Sequence, residues 1–448
     1  MRTLTETARL LRARELSPVE VVREHLERIS ADAGRINAFV SVRAEEALAE
    51  ARRLESQREP GPLHGVPVTI KDSLDVAAMP TYCGTRFRAS HVAREDSAAA
   101  ARLRRAGAVI LGKTNCPEFL ANYETDNHIA GRTNNPLDAE RTPGGSSGGE
   151  AAAIAANFSA GGIGSDGGGS IRWPAHCCGI AGLKPTPGRI PATGHFPLIQ
   201  HPGGLLGVIG PMARTAADVR ALYDAVQGYD SSDPFSVPLL DPAVDLVGTR
   251  VGVMERFFDV PVQPAIVAAV RRAAAAAADL GLTVDEFSPK GLERAPNVWS
   301  FFFTELAAPF TRELLQGRED EAHWTGTEFY DLVKHKPEPA GKDVVENLGR
   351  RDAMRRHLLA EMPDVVIAPA AGVAAFRHRE RRYDVGAGRT IGLFQAMMPL
   401  TWVNLMGLPS MVIPFGRDGD GMPVGVQLIG HPWSEGLLLE LAVRLEFY

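Results

Sequence analysis

The sequence predicts an α/β protein in which a sheet is layered between helices, and three observations carry that reading. Short apolar runs alternate with helix-patterned segments from Pro62 onward. The runs are apolar throughout, as expected of strands buried on both faces, and do not alternate with polar residues. The chain has 448 residues, of which 45% are hydrophobic, so it can enclose a large core. Length alone would suggest about three domains at about 150 residues each.

The first sixty residues are helical by pattern. Ser17, Pro18 and Glu20 supply an N-cap, a proline at the first helical position and a glutamate at N3 ahead of VVREHLERI. A second helix is expected over about 42–57. VPVTI then reads as a strand, a helix follows Asp96 and Ser97, and AVILGK reads as the next strand. After Gly148 and Gly149, EAAAIAAN predicts a helix and SAGGIGSD a strand ending in a glycine turn. The alternation resumes near Gly248 with TRVGVM, a helix through VAAVRRAAAAAADLG, and TVDEF. Residues 292–362 are helical and aromatic-rich, with Phe301, Phe302, Phe303, Trp324, Phe329 and Tyr330. They read as a helical insertion over an active site, although a packed core would use those aromatics equally well. DVVIAPA, LPSMVIPFG and PVGVQLIG predict strands, and SEGLLLELAVRLEF a closing helix. There is no internal repeat and no tail of disordered composition.

Composition excludes several function classes. A net charge of −6 gives no basic field, which argues against nucleic acid and anionic membranes as partners and favours a small uncharged substrate. Cys83, Cys116, Cys177 and Cys178 have neither disulfide-framework nor zinc-site spacing and read as reduced thiols. The N-terminal segment lacks the apolar stretch of a secretory signal, and no run of about 18 apolar residues occurs. A cytoplasmic location is the expectation.

The chemistry concentrates in three segments. Lys71 ends the apolar run HGVPVTIKD, and a lysine stripped of water falls below its usual pKa of ~10.4 toward a neutral base. A strand-end lysine paired with Asp72 is the simpler reading of that residue alone. Two serine–glycine clusters follow, RTPGGSSGGEAAAIA with Ser146 and Ser147, and GGIGSDGGGSIRWPA with Ser165 and Ser170. A serine becomes a nucleophile beside such a base, and the GGG before Ser170 offers backbone N–H groups to an oxyanion. The G-x-S-x-G at 144–148 lacks the buried strand that a nucleophile elbow requires. The G-x-G-x-x-G at 162–167 meets GGS and Pro174 where a helix should open, with no acidic residue at 181–188. His176, Cys177 and Cys178 read as core packing and not as a metal site. His378 and His431, the candidates for a Ser-His-Asp triad, read as loop or surface residues.

These segments closely resemble the amidase signature family of serine hydrolases, including its free-standing bacterial amidases and its urethanases. HGVPVTIKD is similar to the family's lysine segment, PGGSSGGEAAA to its cis-serine loop, and GSDGGGSIRWPAHCCGIAGLKPT to its nucleophile segment; SMVIPFG and PVGVQLIG resemble its C-terminal strands. The resemblance implies a large mixed β-sheet sandwiched between helices, in a single domain over 1–448. Within it, 1–57 would be an N-terminal helical arm, 58–290 the catalytic core, about 292–362 a helical cap-like insertion, and 363–448 a return to the core sheet. It implies Ser170 as nucleophile, Ser146 as bridging serine after a cis peptide from Gly145, and Lys71 as general base. The N–H groups of Gly167, Gly168, Gly169 and Ser170 would form the oxyanion hole, supported by Ser147, Ser165, Asp166 and Arg172. Position 167 departs from the bulkier residue of many relatives, which would loosen the hole or enlarge the acyl pocket. The implied reaction cleaves amide or carbamate C–N bonds through an acyl-enzyme with no cofactor or metal. An apolar pocket from Tyr123, Phe196, Leu198, Phe301, Phe303, Phe394, Met397 and Met398 would favour aryl or alkyl substrates. The rivals are a glutamine amidotransferase component of a tRNA-dependent complex, for which Arg132 and Arg189 could anchor a carboxylate, and a non-catalytic scaffold. The sequence leaves the oligomeric state open.

Overall fold

The computed structural model describes residues 2–32, 34–199, 205–239 and 244–448. In chain order its strands are β1 (Phe39–Val42), β2 (Pro67–Lys71), β3 (Val109–Thr114), β4 (Gly161–Asp166), β5 (Ala181–Lys184), β6 (Val208–Ala213), β7 (Arg250–Val253), β8 (Thr283–Glu286), β9 (Val365–Pro369), β10 (Arg382–Asp384), β11 (Thr390–Gly392), β12 (Ser410–Arg417) and β13 (Pro423–Gly430). Eleven of them form one sheet in the order β1-β3-β2-β4-β6-β5-β12-β13-β9-β7-β8, and β10 pairs with β11. The trios β3-β2-β4 and β9-β7-β8 are parallel. Between them the strands run antiparallel.

Every residue of β2, β3, β4, β9 and β13 is buried, because helices cover both faces. The pleat sorts neighbours to opposite layers. Ile413 packs with Val68, Val219, Val270 and Leu438, and so with the helices Ala216–Val226, Pro264–Asp279 and Glu435–Leu445. Val412 packs instead with Ile154, Ala175 and Leu400, from the helices Gly148–Ala155, Arg172–Cys178 and Leu393–Met406. The segment 292–362 is helical as expected, running through Ala295–Ser300, a π-helical turn Phe301–Glu305, Ala308–Leu315, Trp324–Asp331 and Gly341–Glu361.

The Ser17 cap forms as expected, its Oγ accepting from the Val19 and Glu20 N–H groups. One expected boundary needs correction, and two elements carried no sequence signal. The helix expected from about 42 starts at Ala44, because Phe39–Val42 is an edge strand antiparallel to β3. β6 carries Gly210 and Pro211, which read locally as turn residues, yet it is fully buried between β4 and β5. Helix Leu393–Met406 is mostly apolar, is buried on nearly every side and contains Pro399, so it shows no helical period in sequence.

Asp72 is paired with Lys113 of β3, not with Lys71. The Lys113 Nζ lies 3.1 Å from Asp72 Oδ1, and neither side chain has exposed surface. Asp72 Oδ2 also accepts from the N–H groups of Tyr82 and Cys83, and Lys113 donates to Thr81 Oγ1 at 2.8 Å. Removing one partner of a buried pair strands the other charge. Lys113→Met should therefore lower stability by about 3–5 kcal/mol in urea denaturation, and adding Asp72→Asn should restore part of it.

Candidate active site

Parallel pairing of β2 with β4 aligns Ile70 with Ile163 and brings Lys71, the last residue of β2, beside the end of β4. Lys71 has no exposed surface. Its Nζ donates to Ser146 Oγ at 2.7 Å, Ser165 Oγ at 3.0 Å and the Ser165 carbonyl at 3.4 Å. Burial lowers its pKa from 10.5 to about 8, against smaller opposing effects of Cys116, Cys83, Asp166 and Glu150. At pH 7 about a tenth of such a lysine is neutral, against roughly one part in 3,000 for an unperturbed one.

Glu150 lies in the helix Gly148–Ala155 that follows the serine loop. The Thr69 hydroxyl donates to one of its carboxylate oxygens and the Thr114 hydroxyl to the other, the latter at 2.7 Å. Burial pushes this carboxyl up to about 7. Gly162 has to be glycine, since a Cβ there would come within 2.0 Å of Glu150 Oε1. His195 is also buried near Lys71, and burial holds its imidazole down at about 3, so it stays neutral.

The Gly145–Ser146 peptide is cis. The next residue stitches the two serine segments together: Ser147 N–H donates to the Ser170 carbonyl at 3.1 Å and Ser147 Oγ to the Ser165 carbonyl at 3.2 Å. Ser170 sits in the turn between β4 and helix Arg172–Cys178. It is 8% exposed, against 1% for Ser146 and 0% for Lys71, so it is the member of the trio that faces the outside.

A buried ion pair shapes that turn. Arg172 contacts both Asp166 carboxylate oxygens at 3.0 Å, and the same carboxylate accepts from the N–H groups of Gly169, Ile171 and Arg172. Burial alone would raise the Asp166 pKa, but the Arg172 guanidinium holds it well below the usual carboxylate range. Arg172 also reaches the Leu400 carbonyl, Gln427 and Asn404, and Asn404 donates to Asp166 in turn. Asn404 and Gln427 lie more than 200 residues downstream, Gln427 within the strand motif PVGVQLIG, and sequence reasoning gave neither a role.

The Gly169 N–H donates to Asp166 Oδ1 at 2.7 Å. It anchors the turn, which removes it from the four-donor oxyanion hole expected above. The N–H groups of Gly167, Gly168 and Ser170 have no protein acceptor among the described residues. The Trp299 indole donates to the Gly167 carbonyl at 2.9 Å and the Tyr123 hydroxyl to the Gly168 carbonyl at 2.9 Å. Trp299 carried no sequence signal beyond its aromatic segment.

The expected apolar pocket is only partly assembled. Phe303 stacks on Trp299 with centroids 4.6 Å apart and approaches Phe329, which lies 5.0 Å from Phe394 and 5.8 Å from Tyr123. Phe329 was missing from the expected pocket. Met397 is fully buried, and Phe301 packs edge-on against Phe302 in the cluster around Trp299 and Trp402. Tyr123 acts through its hydroxyl on the turn. Met398 packs in the cluster around Trp299 and Trp402, Phe196 lies under the Arg88 guanidinium, and Leu198 is 69% exposed.

The other candidates have structural partners. His176 is buried, accepts from the Gly425 N–H and stacks on Trp173. All four cysteines are free and buried, and no cluster suited to a metal ion occurs among the described residues. His378 lies against Glu124 and the Ala139 carbonyl, and His431 against the Met362 carbonyl. Residues 162–166 of the G-x-G-x-x-G run inside β4, and no helix opens there. Among the described residues no helix is long and apolar enough to cross a membrane.

The Amidase family profile matches residues 20–439. A glutamyl-tRNA(Gln) amidotransferase subunit of Moorella thermoacetica is 32% identical over 492 residues, covering 99% of this chain and 96% of that one. Indoleacetamide hydrolase of Bradyrhizobium diazoefficiens is 34% identical over 462 residues, covering 98% and 85%. The solved structure of a bacterial aryl acylamidase of the amidase signature enzymes superposes with a TM-score of 0.88 at 25% identity, covering 100% and 96%. A family match over nearly the whole chain, on a fold shared with those enzymes, makes this protein a member of the amidase signature family.

Proposed function

We propose that the protein is a serine hydrolase that cleaves the C–N bonds of small aryl or alkyl amides and carbamates through Ser170, Ser146 and Lys71. The observation that carries this reading is the 2.7 Å contact between the buried Lys71 Nζ and Ser146 Oγ, on a loop whose next residue, Ser147, bonds the carbonyl of the more accessible Ser170. In the first half-reaction Ser170 Oγ attacks the carbonyl carbon. Its proton passes to Ser146 Oγ while the Ser146 proton passes to Lys71 Nζ. The tetrahedral oxyanion is received by the N–H groups of Gly167, Gly168 and Ser170. Collapse breaks the C–N bond, and the relay returns the proton to the departing amine. Water then adds to the Ser170 ester with the same relay as base, releasing the acid and restoring Ser170. A carbamate gives an alkoxycarbonyl-enzyme, whose hydrolysis ends in alcohol and carbon dioxide.

The aromatic wall of Trp299, Phe303, Phe329 and Phe394 supports an apolar substrate. Position 167 adds room, since a Cβ there would meet nothing nearer than Phe303 Cε2 at 3.4 Å. Of the two arginines considered as glutamine anchors, one is held away by buried partners and the other is exposed. Arg189 is buried against the Tyr223 hydroxyl and the Leu239 carbonyl, and Arg132 bonds Asn134. The amidotransferase reading remains the rival, because several of the relatives matched in sequence carry that name.

Ser170→Ala should lower turnover by at least about 1,000-fold with an unchanged circular dichroism spectrum. Near-normal activity would move the nucleophile elsewhere, with Ser146 the first suspect. The pH profile follows from the sign of the Lys71 shift: the neutral form is the base, so kcat/KM should rise about tenfold per unit below pH 8 and level off above it. A plateau beginning near pH 6.5, with the chemical step limiting, would indicate a histidine base instead. On matched substrates, kcat/KM for an anilide or an aryl carbamate should exceed that for glutamine. The reverse order would promote the amidotransferase reading.

A further inference from the structure

We propose that Trp299 is a positioning residue for the oxyanion hole, so that the helical segment over the site sets the geometry of the catalytic turn. The inference rests on the reading of Ser170 as nucleophile and adds a residue that no sequence motif contains. Its basis is the planarity of the peptide unit. In a trans peptide the C=O of one residue and the N–H of the next point in opposite directions, so fixing the carbonyl fixes the donor.

The turn contains an internal check of this rule. The Tyr123 hydroxyl holds the Gly168 carbonyl, and the N–H of the same peptide unit, that of Gly169, is found on the far side, on Asp166 Oδ1 at 2.7 Å. One unit earlier, the Trp299 indole holds the Gly167 carbonyl at 2.9 Å. The matching donor is the Gly168 N–H, which points away from the indole and has no protein acceptor among the described residues. A buried backbone donor left unpaired by the fold is one that a ligand can satisfy.

Steric contacts fix the same peptide. A Cβ at Gly168 would lie 2.4 Å from Trp299 Cζ2, so the indole covers this residue and admits only glycine. Trp299 is itself immobilised: it is 2% exposed and stacks on Phe303 at an interplanar angle of 16°. It sits in helix Ala295–Ser300, directly before the π-helical turn Phe301–Glu305 that carries Phe303. One aromatic pair thus supports the donor through Trp299 and bounds the space beside Gly167 through Phe303.

The test uses two replacements in the full chain, Trp299→Phe and the isosteric exchange of Trp299 for 3-benzothienylalanine, which keeps the shape of the ring and removes the N–H. With an anilide substrate, kcat should fall about tenfold in the isosteric protein, less than the roughly 100- to 1,000-fold loss on deleting a donor outright. KM should stay within about twofold, the pH midpoint should stay near 8, and affinity for a boronic acid that forms a tetrahedral adduct should fall in parallel with kcat/KM. Should Trp299→Phe fail to fold, the isosteric protein decides alone. Unchanged kcat and boronate affinity in that protein, with Ser170→Ala inactive in the same series, would overturn the role of Trp299 and leave the hydrolase reading standing. An active Ser170→Ala would remove both.

Discussion

A lysine enclosed without solvent and without a carboxylate at its ammonium is the constraint on which the rest of this site depends. Lys71 meets two hydroxyls and a carbonyl, so burial is not offset by an ion pair and the side chain keeps a pKa of about 8. The neighbouring acids are managed separately. Asp72 is held by Lys113, and Glu150 is held by two threonine hydroxyls with its own pKa pushed up to about 7 by burial. Had Asp72 faced Lys71, the lysine would stay protonated and could not serve as a base at neutral pH.

The turn that carries Ser170 is held by the opposite device, a fully paired buried charge. Asp166 accepts from three N–H groups of its own turn and from Arg172, and Arg172 is held in turn by Leu400, Asn404 and Gln427. A local glycine-rich loop is thereby fixed by residues from the helix Leu393–Met406 and from β13. Such a network costs desolvation, and it is stable only when every lone pair and proton is used. The consequence for chemistry is selective. The Gly169 N–H is taken by Asp166, whereas those of Gly167, Gly168 and Ser170 have no protein acceptor among the described residues.

Much of this was legible in the sequence because its signals are local. Apolar runs such as VPVTI and PVGVQLIG mark strands buried on both faces, and the Ser17-Pro18-Val19-Glu20 cap marks a helix start. Lys71, Ser146 and Ser170 lie in contiguous motifs, whose segments meet through the Lys71–Ser146 contact and the bond from Ser147 N–H to the Ser170 carbonyl. What escaped depends on long-range packing. β6 contains Gly210 and Pro211 and gains its strand form only between β4 and β5; helix Leu393–Met406 is buried on nearly every side and so shows no period. The pocket suffered in the same way. Phe301 and Phe303 are two residues apart, yet one packs into the core and the other stacks over the turn, a choice made by the π-helical turn that contains them.

A nucleophilic Ser170 served by a neutral Lys71 should react covalently with an acylating or phosphonylating reagent in a pH-dependent way. The most direct measurement is the pH dependence of covalent labelling by an aryl fluorophosphonate, with the modified peptide identified by mass spectrometry. A single adduct on Ser170 is expected, with a rate of formation that rises with a midpoint near pH 8 and falls sharply in Lys71→Ala. An adduct on Ser146 or another residue, or labelling of Ser170 that is equally fast in Lys71→Ala, would contradict it.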